Sequence, residues 1–274
     1  MSTIAFAGAI ELGLVYAFVG LAVFLAFRVL DFPDLTVDGS FPLGAGVAAG
    51  ACAGLVTATL NQRFGILHLL ASILTMIALF SVSLRVMGRP NVAILTQATM
   101  LTPFYGHGLR DYLVRPLFLA VLVAITVAVL ARFLVSDFGL AMRATGANPK
   151  MARAQGISTR SQIYTGMALS NALVGIAGAL FAQTNGFADV TTGVGTIVVG
   201  LAAVIIGETL FRFGGILVAL IGCVVGSIAY RIAIQLALSA DFLGLQPSDL
   251  NLVTAVLVAL ALILPRLRGV GLRT

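Results

Sequence analysis

A few polar side chains lie close to or within long apolar stretches, and these are the residues that could do chemistry. Asp34, Thr36, Asp38 and Ser40 closely follow the first apolar run, while Glu208 lies inside a later one. A carboxylate at membrane depth is costly and is therefore a functional candidate by default. Such groups can bind a polar solute, pair with a cation or carry a proton.

The remaining residues do not indicate enzyme chemistry. We find no paired carboxylates, histidine cluster or Ser/His/Asp order at membrane depth that would support catalysis. Both cysteines, Cys52 and Cys223, lie in apolar runs without a Cys-x-x-Cys motif, so neither a disulfide framework nor a metal site is expected. The sequence predicts a chain that is not an enzyme and holds no metal or cofactor of its own.

Composition indicates that the surface of this chain faces lipid. Hydrophobic residues make up 60% of the chain and charged residues only 9%, with a mean hydropathy of +1.10. A soluble domain carries about a quarter charged residues, so this chain could not cover its own surface in water. The basic residues behind the net charge of +6 are scattered at the ends of apolar runs, which indicates topology signals and no nucleic-acid partner.

Apolar runs long enough to cross a bilayer recur along the chain. A spanning helix needs about 20 largely apolar residues, and about eight runs approach this length. They cover residues 4–27, 41–60, 64–87, 116–135, 162–184, 194–211, 213–238 and 249–265. No linker or charge block divides the chain, so we predict one transmembrane domain over 1–274. Its fold class is an all-α, polytopic membrane helix bundle with short broken or interfacial helices.

Basic residues predict which loops face the cytoplasm. The longest polar break, 136–161, carries Arg143, Lys150, Arg153 and Arg160 and is therefore predicted to be cytoplasmic. Counting eight spans from this loop places both chain termini inside. The N-terminal half is less consistent, because 88–115 then lies outside although it is basic; we expect short surface helices there.

The cytoplasmic loop contains the signals of a short capped helix. Asn148 is a favourable N-cap, Pro149 suits the first helical position, and Gly156 suits the left-handed residue after a helix end. A helix of this length, over 149–155, is too short to be stable alone and needs a partner surface. It is either part of an ordinary surface loop or a docking helix that transmits force from a soluble motor.

The loop resembles the coupling loop of ATP-binding-cassette (ABC) permeases that import branched-chain amino acids and monosaccharides. The matching residues are Gly139, Arg143, Ala144, Gly146, Asn148, Ala152, Gly156 and Ile157, followed by the Ala-Gly-Ala-Leu of 177–180. Two further stretches agree with this superfamily in the same order along the chain. They are Asp-Leu-Thr-Val-Asp-Gly-Ser over 34–40 and Val-Ile-Ile-Gly-Glu-Thr-Leu-Phe over 204–211.

This resemblance implies partners and a location. Two permease subunits, here expected as a homodimer, form the pathway in the bacterial inner membrane, and an extracytoplasmic binding protein delivers the solute. Two ATPase subunits, which hold the ATP and magnesium, dock on the coupling helices. The residues expected to couple to the ATPase are Gly139, Arg143, Gly146, Asn148, Pro149, Ala152, Arg153, Gly156 and Ile157. This chain has no Gly-x-x-x-x-Gly-Lys-Ser/Thr phosphate loop, in keeping with that division.

The stretch 31–40 has two interpretations. The resemblance implies a broken-helix element near the translocation path, where Asp34, Thr36, Asp38 and Ser40 would lie. The alternative is a solvated loop between the first two spans. Relatives have room for two spans between this stretch and the equivalent of Arg63, whereas this chain has room for about one, Phe41 to Leu60. Whether 31–40 lies outside or is re-entrant, and the side of the N-terminus, therefore stay open.

Charged residues inside later spans also have alternative explanations. Glu208 is a candidate path residue, but an ion pair with Arg212, four residues along one helix face, is the favoured interpretation. Arg231 could snorkel to the interface or pair with Asp241 or Asp249.

Small residues at helical spacing, such as Gly222 and Gly226, predict close helix packing without any ligand.

The function favoured by the sequence is that of a permease subunit importing a small polar solute, with an amino acid or a related organic solute preferred. The alternative is a secondary transporter driven by an ion gradient, which would use Glu208 as a proton or sodium site. A membrane enzyme ranks last.

Overall fold

The computed structural model describes residues 3–43, 47–94, 111–211, 214–238, 255–256 and 259. The helices are α1 (Thr3–Val23, continued by a π-helical segment over Phe24–Val29), α2 (Thr36–Leu43), α3 (Val47–Phe64), α4 (His68–Met87), α5 (Asp111–Val135), α6 (Asp137–Ala147), α7 (Pro149–Ala154), α8 (Thr159–Asn185), α9 (Thr196–Leu210) and α10 (Ile216–Leu238). The strands are β1 (Asn91–Ala93) and β2 (Phe187–Asp189), and a 3-10 turn covers Val190–Gly193.

The helical class is confirmed, but the predicted number of spans is not. Within the described residues, six helices are long and apolar enough to cross a membrane. They are Ala5–Val29, His68–Met87, Val114–Val135, Thr159–Asn185, Val190–Leu210 and Ile216–Ala237. The predicted span 249–265 lies almost wholly outside the described residues.

The predicted span 41–60 is wrong as one continuous helix. Helix α2 ends at Leu43, α3 begins at Val47, and α3 is not among the six candidates. The end of α3 carries the polar run Asn61-Gln62-Arg63, which lowers its hydropathy. The apolar run 41–60, which Pro42 and several glycines interrupt, therefore contains the end of α2 and most of α3.

Helix α1 forms the centre of the bundle. Apart from Glu11 it is largely apolar all round, and its middle residues, including Val15, Phe18 and Leu21, are completely buried. A helix that is hydrophobic all round must be enclosed by other helices or by lipid. Here α5, α8, α9 and α10 pack against it.

Two contacts show that α1 runs antiparallel to α8. The Ser170 hydroxyl donates to the Ala22 carbonyl at 2.9 Å, and the Tyr16 and Phe181 rings meet edge to face with centroids 6.0 Å apart. Residue numbers therefore rise along one helix as they fall along the other. The C-terminal end of α1 lies beside the start of α8, which follows the loop 136–161.

Helix α1 runs parallel to α9. Gly200 packs against Val19 and Val23, and further along Arg28 forms an ion pair with Glu208. We call the end of the bundle that carries α6 and α7 the loop end, and the end that carries β1 and β2 the far end. The N-terminus of α1 therefore lies at the far end, so the predicted placement of the N-terminus on the side of loop 136–161 is wrong. The C-terminus lies outside the described residues.

The reason for this error is a re-entrant segment after α1. Asp31, with φ of 52°, turns the chain in the left-handed region, and α2 then runs back towards the far end. The backbone of Phe41 packs against Gly178 of α8, and the Asp38 carboxylate accepts hydrogen bonds from the start of α9. Of the two alternatives for 31–40, the structure supports the re-entrant one.

Close backbone approach holds the helices together, as the small residues predict. A Cβ atom at Gly54 of α3 would collide with the carbonyl oxygen of Met167 on α8. Gly226 of α10 faces the Ala203 carbonyl of α9 in the same way, and Gly222 lies against Gly207. In lipid, where apolar surface gains little from leaving the solvent, such packing is a principal source of helix association.

A short β-ribbon lies at the far end. Strands β1 and β2 pair antiparallel, with Val92 opposite Ala188. The expectation of short surface helices in 88–115 is therefore wrong for 91–93. Residues 111–115 begin the long helix α5, and 95–110 lie outside the described residues.

The direction of α1 leads to a labelling prediction. In a Cys52→Ser background, an impermeant maleimide should label Thr3→Cys from the membrane face opposite to the one that exposes Lys150→Cys. Asn91→Cys, in β1, is the control and should label from the same face as Thr3→Cys. Labelling of Thr3→Cys and Lys150→Cys from one face would contradict this topology.

Glycine packing between α3 and α8 gives a stability prediction. We expect Gly54→Ala to lower the stability of the purified protein by roughly 1–3 kcal/mol, because the added methyl group forces the helices apart. Gly8→Ala is the matched control, since a Cβ atom at Gly8 meets nothing within 4 Å. Thermal unfolding in detergent measures both, and equal midpoints would refute the packing explanation.

Candidate functional site

The helix predicted in the loop is present as α7, with the predicted cap. The Asn148 side-chain oxygen accepts hydrogen bonds from the backbone amides of Lys150 at 3.1 Å and Met151 at 3.0 Å. Pro149 occupies the first helical position, where a missing N–H costs nothing. These contacts satisfy the free amides at the helix start and fix where α7 begins.

The C-terminal end of α7 also follows the prediction. Gly156 has φ of 80°, in the left-handed region, and the amide of Ile157 donates to the Ala152 carbonyl at 3.0 Å. Ala152 is buried against the bundle, whereas the Met151 side chain is 63% exposed. With Lys150 and Arg153 also exposed, α7 presents a mixed apolar and basic face.

Two glycines of the loop connect it to the bundle. Gly139, in the first turn of α6, lies so close to the end of α5 that a Cβ atom would collide with the Phe133 carbonyl oxygen. Gly146, near the end of α6, lies equally close to the carbonyl oxygen of Val29. The loop is therefore packed against the final residues of α1, where the re-entrant segment begins.

The sequence did not reveal helix α6 beforehand, although it carries a signal. Ser136 is its N-cap, accepting a long hydrogen bond from the Gly139 amide at 3.4 Å, and Asp137 stands in its first turn. Among the expected coupling residues, Arg143 of α6 is half-buried. The Arg153 guanidinium donates to the Pro149 carbonyl within α7 at 3.2 Å.

A buried polar network surrounds the start of α2. Asn171 of α8 donates to the Asp34 carboxylate at 2.7 Å and accepts from the Ser40 hydroxyl at 2.7 Å. The second Asp34 oxygen accepts from the Thr36 amide at 2.9 Å, and the Thr36 hydroxyl shares a hydrogen bond with Thr57 of α3 at 2.7 Å. All five residues have no exposed surface.

Asp38 has a different task. Its carboxylate accepts hydrogen bonds from the amides of Gly195 at 3.1 Å and Ile197 at 2.8 Å. It therefore caps the N-terminus of α9 from a neighbouring helix, where a negative charge is favourable. Gly193 allows this contact, because a Cβ atom there would collide with the Asp38 carbonyl oxygen and Pro42.

The structure thus brings together three of the predicted path residues, Asp34, Thr36 and Ser40. The fourth, Asp38, lies outside this network, at the N-terminus of α9. Sequence reasoning missed their partners Asn171 and Thr57. An amide inside the apolar run of α8 is itself a signal, because a buried polar group needs a hydrogen-bond partner.

Glu208 lies apart from this network, at the loop end. Its carboxylate pairs with Arg28 of the π-helical segment, and the two side chains are 27% and 41% exposed, respectively. Arg212, the partner favoured from spacing, lies outside the described residues. The partner that the structure shows comes from another helix, because α1 and α9 run in parallel and end at the same level.

A cavity of about 780 Å³ lies at the far end between α1, α8, α9 and α10. Its lining includes Tyr16, Phe181, Asn185, Thr196 and Arg231. The Arg231 guanidinium lies over the Tyr16 ring, 4.1 Å from its centroid, in a cation–π contact. Asp241 and Asp249, the other predicted partners of Arg231, lie outside the described residues.

The turn beside this cavity is held by Asp189. Hydrogen bonds from the Thr191 hydroxyl at 2.6 Å, the Asn91 amide at 3.0 Å and the Thr191 backbone amide at 2.7 Å keep the pKa of Asp189 below its usual value. The carboxylate is therefore charged at neutral pH. It joins the β-ribbon to the 3-10 turn that leads into α9.

Comparison with known proteins gives a consistent family. Residues 3–264 match the family described as "Branched-chain amino acid transport system / permease component". The chain is 34% identical over 265 residues to a "Tyrosine transport system permease protein" of Clostridioides difficile, covering 89% of this chain and 86% of that protein. It is 30% identical over 276 residues to an uncharacterised protein of Rickettsia prowazekii, covering 93% and 95%.

No solved structure matches the chain significantly. The family match covers almost the whole sequence, including the capped helix α7 and the buried network of α2. On these grounds the chain belongs to the branched-chain amino acid transport permease family of ABC transporters, as a multi-pass membrane subunit.

Proposed function

We propose that this chain is the permease of an importer that moves an amino acid into the cytoplasm, driven by ATP hydrolysis in a separate ATPase subunit. The observation that carries the proposal is α7, a capped helix with an exposed Met151 and a buried Ala152. The helix before it, α6, packs against Val29 of the bundle through Gly146. Helix α7 can transmit force, because its position is fixed while its outer face is free for a partner.

The amino-acid substrate is supported by the family and by the relative named as a tyrosine transport permease. We propose L-tyrosine as the first solute to test. The partners proposed are two ATPase subunits, an extracytoplasmic binding protein and a second copy of this chain, in the bacterial inner membrane. Under this proposal, loop 136–161 faces the cytoplasm and the cavity faces the binding protein.

The predicted path residues are proposed to support the pathway rather than to hold the solute. Asp34, Thr36 and Ser40 are fully buried and hydrogen-bonded, and they fix α2 against α3 and α8. Asp38 then positions the start of α9, which borders the cavity through Gly195.

Transport driven by an ion gradient gains no support from the geometry around Glu208. The Glu208 carboxylate is paired with Arg28, so its charge is already compensated. A proton or sodium ion would have to compete with this guanidinium for the carboxylate.

The coupling role of α7 predicts a selective loss of transport. Replacing Asn148-Pro149 with Gly-Gly removes the cap and the pre-set φ, so α7 should fray and lose its hold on the ATPase. In vesicles that contain the permease, ATPase and binding protein, uptake of L-tyrosine should fall at least tenfold while ATP hydrolysis persists.

The control replaces another residue–proline pair, Arg89-Pro90, with Gly-Gly at the far end, where no ATPase docks. Both variants should elute as folded protein in gel filtration. Normal ATP-driven uptake by the Asn148-Pro149 variant would remove the coupling assignment.

The supporting role of the buried network predicts unequal effects of two similar substitutions. Thr57→Val leaves the Thr36 hydroxyl without its partner, so stability should fall by about 1–3 kcal/mol. Thr59→Val, also on α3, removes a hydroxyl that bonds only to its own helix at Leu55 and should be nearly neutral. Thermal unfolding compares them; equal loss, or loss for Thr59→Val alone, would refute the network.

A further inference from the structure

The cavity at the far end has one charged residue among its described lining residues, Arg231. No carboxylate lines it in the part of the chain that the structure describes. Arg231 thus places one positive charge on the lining, while the carboxylates of Asp38 and Asp189 lie behind it, bonded to Gly195 and Thr191. The volume of about 780 Å³ lies within the range of small-molecule pockets.

The orientation of Arg231 leaves donors for a ligand. Its guanidinium lies over the Tyr16 ring, 4.1 Å from the ring centroid, and it also hydrogen-bonds to the Tyr16 side chain. A guanidinium carries five N–H donors, so others remain for a ligand, and the Nε atom has no hydrogen-bond acceptor among the described residues. A planar fork of donors fits a carboxylate, which can accept two of them at once.

The polar side chains of Asn185, Thr191, Thr192 and Thr196 already donate hydrogen bonds within the protein. The Asn185 amide donates to the Phe181 carbonyl at 2.9 Å, and the Thr196 hydroxyl donates to the Thr192 carbonyl at 3.3 Å. The Thr192 hydroxyl also donates to a backbone carbonyl. These side chains therefore have oxygen lone pairs to offer, which suit a cationic donor such as an ammonium group.

The N-terminus of α9 is not the anion site, although it borders the cavity. The amides of Gly195 and Ile197 already donate to Asp38. Attraction of an anion therefore depends on Arg231, while Phe181 provides an apolar wall beside Tyr16.

We infer that this cavity binds a zwitterionic α-amino acid, with its carboxylate on Arg231 and its ammonium group on the oxygens of Asn185, Thr192 and Thr196. The apolar side chain of the amino acid lies against Phe181. This inference rests on the proposed function and deepens it, since it places a solute site within the permease itself.

The test measures the charge of the cavity without any ATPase. In a Cys52→Ser background, Val198→Cys places a thiol in the cavity lining on α9. The purified chain, in phosphatidylcholine nanodiscs, reacts with negatively charged sulfonatoethyl or positively charged trimethylammonioethyl methanethiosulfonate. We measure the ratio of the reaction rate with the negative reagent to that with the positive reagent. We expect this ratio to be at least threefold higher for the cavity thiol than for a free thiol in solution.

Arg231→Gln should abolish this preference, whereas Arg231→Lys, which keeps the charge, should retain it. L-Tyrosine or L-leucine should slow the reaction, and the matching amines without a carboxylate, tyramine and isoamylamine, should not. In Arg231→Gln, the amino acids should lose their protective effect while the thermal unfolding midpoint stays close to that of the parent.

The inference is overturned by no charge preference, by a preference that survives in Arg231→Gln, or by equal protection by amino acids and amines. Absence of protection by both amino acids would also overturn it. Failure of the proposed function is distinguishable, because it appears as loss of ATP-driven L-tyrosine uptake in complete vesicles while cavity protection persists. Intact uptake in Arg231→Gln would refute the inference and leave the proposed function standing.

Discussion

The hydrogen bond between the Asp34 carboxylate and the Asn171 amide is the interaction on which the architecture depends. A carboxylate with no exposed surface is tolerated in an apolar bundle only when its oxygens are satisfied. Asn171 and the Thr36 amide supply those bonds and hold the irregular backbone between α1 and α2 inside the protein. Without them, a re-entrant segment at this depth would expose unpaired polar groups to lipid.

The re-entrant segment links the two ends of the bundle. At the loop end, Gly146 packs against Val29, immediately before the chain turns back at Asp31. At the far end, Asp38 caps α9 beside the cavity. A continuous series of contacts therefore joins the helix proposed to meet the ATPase with the cavity proposed to hold the solute. Rigid helices with satisfied polar groups suit such a connection, since they transmit displacement rather than absorb it.

Local chemistry was the most predictable part of the site. Asn148, Pro149 and Gly156 act on neighbouring backbone groups, so their roles follow from residue type and spacing. The partners of Asp34, Glu208 and Arg231 were not predictable in the same way. Asn171, Arg28 and Tyr16 are distant in sequence and meet these residues only because of how the helices pack. Spacing along one helix favoured Arg212 for Glu208, but it carries no information about a neighbouring helix.

The sequence alone determined that the chain is a helical membrane protein, because run length and the scarcity of charge leave no other solvent for its surface. It also determined the loop with its capped helix, because capping is local. The tertiary structure decided the direction of α1, the re-entry of α2 and the position of the cavity. These depend on close backbone contacts at Gly54, Gly146 and Gly178 and on hydrogen bonds between distant residues. A count of apolar runs cannot distinguish a full span from a helix that enters and returns.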